Sequence, residues 1–188
     1  MKVIGIAGSP REASYNRKLL ALATKMLLEK GVEAEIFDVH AHPIPMFDPN
    51  VEAESGIPGI VKTLRAKIAA ADAVLVASPE YNAGYTPLVK SIIDWCSRTD
   101  PDSGEQNVWR HKVVAMLSAS PGAFGAIRST IALRQTFSHV EAIVIPEFTS
   151  VSFAAKAFNE DGSLVNDYSV KDLSKTLDNL VLVASKLR

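Results

Sequence analysis

The sequence predicts an α/β fold, a three-layer sandwich. A five-stranded parallel sheet in the order 2-1-3-4-5 carries helices on both faces. Two observations predict it. Short apolar runs alternate strictly with helix-period segments, the signature of strand–helix–strand units whose crossovers make strands parallel. The runs at residues 3–7, 73–77 and 113–117 are apolar on both faces, as strands inside a covered sheet must be, whereas the run at 33–38 alternates like an edge strand. Right-handed crossovers leave few topologies, and 2-1-3-4-5 is the one that keeps strands 1, 3 and 4 inside.

The elements follow in order. Residues 3–7 form strand 1. A helix over about 15–30 is predicted by Leu20, Ala23 or Thr24, and Leu27, which share one stripe, and Gly31 suits the position just past its end. Strand 2 covers 33–38, with Val32, Ala34 and Ile36 alternating. Residues 39–56 are expected to be irregular, because Pro43, Pro45 and Pro49 forbid a continuous helix or a central strand. A helix over 57–71 carries Ile60 or Val61, Leu64 and Ile68 on one face, and strand 3 follows at 73–77. Thr86-Pro87 reads as N-cap and first residue of a helix to about 98, with Leu88, Ile92 and Trp95 inward. Strand 4 (113–117), a helix (125–137) and strand 5 (142–145) come next. The last helix spans 170–187, with Leu173, Leu177, Leu180 and Ala184 on one face. Five strands and five helices make one domain over residues 1–188.

Composition narrows the function. The chain has 20 basic and 21 acidic side chains, a formal charge of −1, and no lysine- or arginine-rich block, which argues against nucleic-acid partners and a polybasic membrane anchor. Its single cysteine, Cys96, excludes an internal disulfide, CxxC redox chemistry and a zinc site built on several thiolates. No apolar run reaches the ~18–20 residues of a membrane span, and the start turns polar too soon for a signal peptide. The expectation is a soluble cytoplasmic protein.

In such sheets ligands bind beyond the carboxyl ends of the strands, where the winding reverses. Three loops meet there. Gly8-Ser9-Pro10-Arg11-Glu12-Ala13-Ser14-Tyr15-Asn16 follows strand 1 and opens a helix. A helix N-terminus with free N–H groups favours an anion; Ser9, Ser14 and Asn16 can add donors, and Arg11 a charged fork. The loop lacks GxxxxGK[ST] and cysteine, so it is neither a triphosphatase loop nor a phosphocysteine site, and without GxGxxG a single phosphate is favoured over a dinucleotide pyrophosphate. The alternative is an ordinary turn capped by Ser14. Ser78-Pro79-Glu80-Tyr81-Asn82-Ala83-Gly84-Tyr85 follows strand 3 and offers backbone amides and aromatic edges to a flat heteroaromatic ring. Ser118-Ala119-Ser120-Pro121-Gly122-Ala123-Phe124-Gly125-Ala126 follows strand 4 and lets backbone approach a ligand closely. Three such loops at one crevice point to a ligand site.

These stretches resemble the NADPH-dependent FMN reductase family of the flavodoxin-like fold, which includes soluble chromate and quinone reductases. The likeness rests on Gly8-Ser9-Pro10-Arg11 with Ser14 and Asn16, on Ser78-Pro79-Glu80-Tyr81-Asn82, on Lys90 through Ile93-Asp94-Trp95, and on Ser118-Ala119-Ser120-Pro121-Gly122. It implies that Ser9, Arg11, Ser14, Tyr15 and Asn16 hold the FMN phosphate. Pro79, Glu80, Tyr81 and Asn82 would run along the isoalloxazine, mostly through backbone. Ser118, Ser120, Pro121 and Gly122 would line the ribityl chain and the ring's other edge. Two positions depart from the family habit: Gly125-Ala126 where a paired glycine is common, and Ser91 where asparagine often follows the lysine.

The implied activity is electron transfer from NADPH or NADH through FMN to flavins, quinones, azo compounds or oxyanions such as chromate, with ping-pong kinetics. The flavin carries the chemistry, so no side chain is named catalytic. Tyr85 would border the nicotinamide or a partner subunit. The family habit is a homodimer or homotetramer. A flavodoxin-type electron carrier is the alternative function; such carriers usually have a TxTGxT phosphate loop and a strongly acidic surface. His40 and His42, with Asp38 and Asp48 nearby, raise a metal site, but no third histidine has diagnostic spacing. Cys96 reads as a packed small side chain, and residues 100–110 as a loop long enough for a subunit contact.

Overall fold

The computed structural model describes residues 1–188. The elements are β1 Lys2–Ala7, α1 Tyr15–Glu29, β2 Glu33–Phe37, α2 Pro49–Ser55, α3 Gly59–Ala70, β3 Ala73–Ala77, α4 Pro87–Ser97, β4 Val113–Ala119, α5 Ile127–His139, β5 Ile143–Val151 and α6 Asp167–Lys186. One 3-10 turn, Ala154–Lys156, joins the last two. The five strands are all parallel in the order β2-β1-β3-β4-β5. Right-handed crossovers set α1 and α6, which pack together, on one face, and α3, α4 and α5 on the other.

Burial follows the apolar patterning. Every residue of β3 and β4 is buried, while Ile36 on the edge strand β2 stays open to solvent. On α1, Leu20, Ala23 and Leu27 face the sheet. On α4, Val89 rather than Leu88 is the buried residue beside Ile92 and Trp95.

Three differences from the sequence reading have local causes. The segment 39–56 contains α2: Pro49 occupies its first turn, where no N–H is needed, and the Asp48 carboxylate caps it by accepting from Asn50 N at 2.8 Å. Strand β5 continues past Pro146 to Val151. Val114 pairs with Val144 but Met116 with Phe148, so the proline sits in a bulge where it owes the ladder no donor. Arg134 donates to the carbonyls of Ile145 and Pro146, each at 2.9 Å. Helix α6 starts earlier than expected because Asn166 caps it, accepting from Tyr168 N and Ser169 N.

The loop after α4 is tied inward. Trp109 is fully buried, stacked edge-on against Phe137 at 5.1 Å, with its indole N–H on Ile93 O at 3.1 Å. Arg65 reaches across from α3 to the same region. Cys96 is buried, and burial pushes its thiol up to about 12. The thiolate is the reactive species, so folded protein at pH 8 is expected to resist a thiol reagent that labels the denatured chain fully. Prompt labelling of folded protein would show that α4 opens readily.

Candidate active site

The site is built where β1, β3 and β4 end side by side. Gly8 leaves β1 and is pinned on both sides: its N–H donates to Ala77 O at 2.7 Å, and its carbonyl accepts from Thr86 Oγ1 at 2.8 Å. A Cβ at Gly8 would lie 2.4 Å from Val89 Cγ2 and 3.1 Å from Ser78 Oγ. Gly8→Ala should therefore cost about 1–3 kcal/mol by overpacking and shift the following loop. Chemical denaturation measures the first effect and ligand affinity the second.

The loop then turns into α1 with its donors uncommitted. Ser14 is the N-cap, yet its hydroxyl makes no capping hydrogen bond; its backbone N–H donates to Arg11 O at 3.2 Å and its carbonyl accepts from Lys18 N at 3.1 Å. The N–H groups of Tyr15, Asn16 and Arg17 have no acceptor, and the first turn holds no acidic residue. The positive end of the helix thus faces the cleft unsatisfied. Arg11 is exposed and makes no ion pair. Ser9 is buried, its hydroxyl accepting from Arg11 N at 3.4 Å.

The side chain of Asn16 does a different job from the one expected. Its Nδ2 donates to Ala119 O and its Oδ1 accepts from Ala119 N, both at 2.9 Å. This closed pair locks the start of α1 to the end of β4. Asn16 offers its backbone N–H to a ligand while its side chain fixes the spacing between two loops.

Beyond β3, the Pro79 carbonyl accepts from Ser78 Oγ at 3.0 Å and Ser129 Oγ at 3.1 Å. Glu80 pairs with Arg128 of α5, and its second carboxylate oxygen is buried without a partner. Tyr81 and Gly84 exchange backbone hydrogen bonds of 2.9 and 3.0 Å around a tight turn. Asn82 and Ala83 take φ of 50° and 65° there, the left-handed pair of a type I′ turn. The turn leaves Tyr81 half exposed. The phenol of Tyr85 meets Thr136 Oγ1 at 3.0 Å, so this half-buried side chain is anchored to α5.

Near the end of β4, Ser118 departs from the sequence reading. It is fully buried, its hydroxyl bonded to Gly125 O at 2.7 Å and Ser150 Oγ at 2.8 Å, and so it shapes the loop from beneath. Ser120 faces the cleft, with its hydroxyl accepting from Gly122 N at 3.2 Å. Gly122 is exposed, and its carbonyl accepts from Phe153 N at 3.1 Å. At the start of α5, Gly125 and Ala126 are both left-handed, with φ of 58° and 68°. Ala126 holds this conformation with a side chain, at a cost of roughly 1–2 kcal/mol.

Ser9, Arg11, Ser14, Tyr15, Asn16, Pro79, Glu80, Tyr81, Ala119, Ser120 and Pro121 line one cleft of about 140 Å³. Of the predicted residues, Asn82, Gly122, Ser118 and Tyr85 lie outside its wall. Sequence reasoning missed Ala119, Ser129, Arg128 and the role of Thr86, whose partners lie tens of residues away. His40 and His42 assemble no metal site: the first ring meets Pro10 O at 2.8 Å, the second packs on Phe37 at 5.8 Å. Chemically, the cleft presents uncommitted amides, a free hydroxyl and a guanidinium to an anion, and a fixed backbone edge to a planar ring.

The chain resembles known proteins over its whole length. The profile of the NADPH-dependent FMN reductase family matches residues 1–156. The chain is 38% identical, over its whole length and 95% of the relative's, to an NAD(P)H:quinone oxidoreductase of Solanum tuberosum. It is also 38% identical to an NAD(P)H-dependent FMN reductase of Pseudomonas aeruginosa, covering 100% of this chain and 97% of that one. Among solved structures, the flavoenzyme NAD(P)H:(acceptor) oxidoreductase FerB of Paracoccus denitrificans superposes with a TM-score of 0.83 at 31% identity, covering 98% of this chain and 97% of that one. The chain belongs to the NADPH-dependent FMN reductase family.

Proposed function

We propose that the protein passes electrons from NADPH or NADH through bound FMN to small-molecule acceptors: flavins, quinones, azo compounds or metal oxyanions such as chromate. The observation that carries the reading is the uncapped start of α1. Ser14 leaves its hydroxyl free, and three successive amides have no acceptor, in a chain whose family uses FMN. A protein that needed only a turn here would spend that hydroxyl on the helix.

The residues fit the group. Ser9, Arg11 and Ser14, with the amides of Tyr15 and Asn16, would hold the phosphate. Pro79, Glu80, Tyr81 and Asn82 would follow the isoalloxazine, and Ser120, Pro121 and Gly122 the ribityl chain, with Ser118 bracing that loop from below. FMN, when bound, supplies two-electron transfer between a nicotinamide and an acceptor. The protein binds, orients and insulates. Arg11 neutralises the phosphate, the serine pair on Pro79 O stiffens the ring loop, and the Glu80–Arg128 pair ties that loop to α5. No side chain acts as nucleophile. Electron donor and acceptor would use the bound flavin in turn, which predicts ping-pong kinetics. The reading includes a cytoplasmic location and a homodimer or homotetramer. No helix is long and apolar enough to cross a membrane.

The test is anaerobic addition of NADPH, then NADH, to FMN-loaded protein. Prompt bleaching of the flavin band before any acceptor is present supports the reading. A band that bleaches only with dithionite would make the protein an electron carrier, and failure to bind FMN would overturn the site.

A further inference from the structure

We propose that His40 is a positioning residue for the phosphate loop: its imidazole holds the Pro10 carbonyl and so fixes the donors on either side of it. The proposal rests on the reading of residues 8–16 as the phosphate site.

Pro10 lies between Ser9 and Arg11 and has no N–H of its own. Within the loop, the internal tethers are Ser14 N to Arg11 O at 3.2 Å and the long Arg11 N to Ser9 Oγ contact of 3.4 Å. Packing does not hold the loop from behind either. On that side lies an open groove of about 460 Å³, walled by Pro10, His40, Val39, Pro43, Ile44 and Met46 among others. The restraint that crosses to the loop there is His40 Nδ1 to Pro10 O at 2.8 Å. A carbonyl only accepts, so Nδ1 carries the hydrogen.

His40 is itself held. It sits in a turn after β2 closed by His42 N to Asp38 O at 2.9 Å. Its own backbone N–H donates to Asp38 Oδ1 at 2.9 Å, and the same oxygen pairs with Arg17 of α1 at 3.2 Å. The His40 amide and the Arg17 charge hold the Asp38 carboxyl below its ordinary range, against the opposing effect of its partial burial. The chain of contacts therefore runs from the first turn of α1, through Asp38, to His40 and back to the loop that precedes α1. It closes a ring of contacts around the anion site from outside the cleft. Neither Asp38 nor His40 lines that cleft, so neither touches the ligand.

The experiment titrates the flavin-depleted full chain with FMN and with riboflavin, which lacks the phosphate, following flavin fluorescence. His40→Ala is expected to raise the Kd for FMN about three- to tenfold, the worth of one hydrogen bond, and to leave riboflavin nearly unchanged. His40→Asn places an amide N–H at the same number of bonds from the backbone and is expected to restore FMN binding. An unchanged FMN affinity in His40→Ala overturns the proposal. So does an equal loss for both flavins, or a loss that asparagine does not repair. Arg11→Ala, measured alongside, separates the two levels. If it weakens FMN selectively while His40→Ala does nothing, the phosphate site stands and the clamp falls. If both variants weaken both flavins equally, the phosphate reading falls and takes the clamp with it.

Discussion

Arg65→Met is expected to lower the folding stability by about 3–5 kcal/mol. Arg65 is fully buried in α3, and its guanidinium serves five carbonyls from two other segments. Nη1 donates to Trp95, Cys96 and Arg98, at 3.1, 3.2 and 2.8 Å, and so closes the carboxyl end of α4. Nη2 donates to Glu105 and Gln106 at 3.1 and 3.0 Å, and Nε meets the Glu105 carboxylate at 3.2 Å. Methionine fills much of the volume but donates nothing, so these carbonyls lose their partners together. Orphaning one buried acceptor costs about 1–3 kcal/mol, and partial access to water at the loop keeps the total below a simple sum. For a chain of this size the melting temperature should fall by roughly 2–4 °C per kcal/mol. Arg65→Lys should recover little, because one ammonium cannot span donors arranged as a planar fork. The flavin affinity of the molecules that remain folded should not change: the nearest partner, Trp95, lies eight residues along α4 from the end beside the cleft, about 12 Å. A thermal melt and a urea titration check the first claim. A stability loss under about 1 kcal/mol would mean that water satisfies these carbonyls as well as the guanidinium does.

Arg65 also shows where the sequence was legible. The strand order could be read because burial on one face or two leaves a local mark: 73–77 and 113–117 are apolar throughout, while 33–37 is mixed. The helix stripes are local too. An arginine between Leu64 and Ile68 carries no such mark; its five acceptors lie 30 to 41 residues away. The site divides in the same way. Loop positions, glycines and an anion-ready helix start follow from neighbouring residues. That Asn16 spends its side chain on Ala119, 103 residues on, and that Ser118 turns under its loop to Ser150, depend on what the fold brings together. Two signals were present and went unused. Asp48-Pro49 is a cap followed by a first-turn proline, which announces α2 even as the same proline argues against a continuous helix. The hydroxyl of Ser129 on α5 is the other, and it holds the Pro79 carbonyl, while Thr86, read as the cap of α4, holds the Gly8 carbonyl as well.

Arg11→Ala is expected to weaken FMN about 10- to 100-fold and riboflavin far less. A hydrogen bond between charged partners is worth about 1.5–3 kcal/mol, against 1.4 kcal/mol per tenfold in affinity. Three features set that range. Arg11 has no protein carboxylate to leave, so its whole charge is available to a phosphate. It is exposed, so binding must order a long side chain, which offsets part of the gain. The amides of Tyr15 and Asn16 and the Ser14 hydroxyl stay in place, so binding should fall without vanishing. Arg11→Lys should recover part of the loss, keeping the charge but not the fork. Salt supplies an independent check. With a Debye length of about 8 Å at 0.15 M ionic strength, an exposed charge is screened more than buried dipoles are. Adding salt should therefore weaken FMN binding to the parent protein more than to Arg11→Ala, until the two converge at high ionic strength. Equal salt slopes, or equal losses for FMN and riboflavin, would place the phosphate elsewhere and leave the open end of α1 without its ligand.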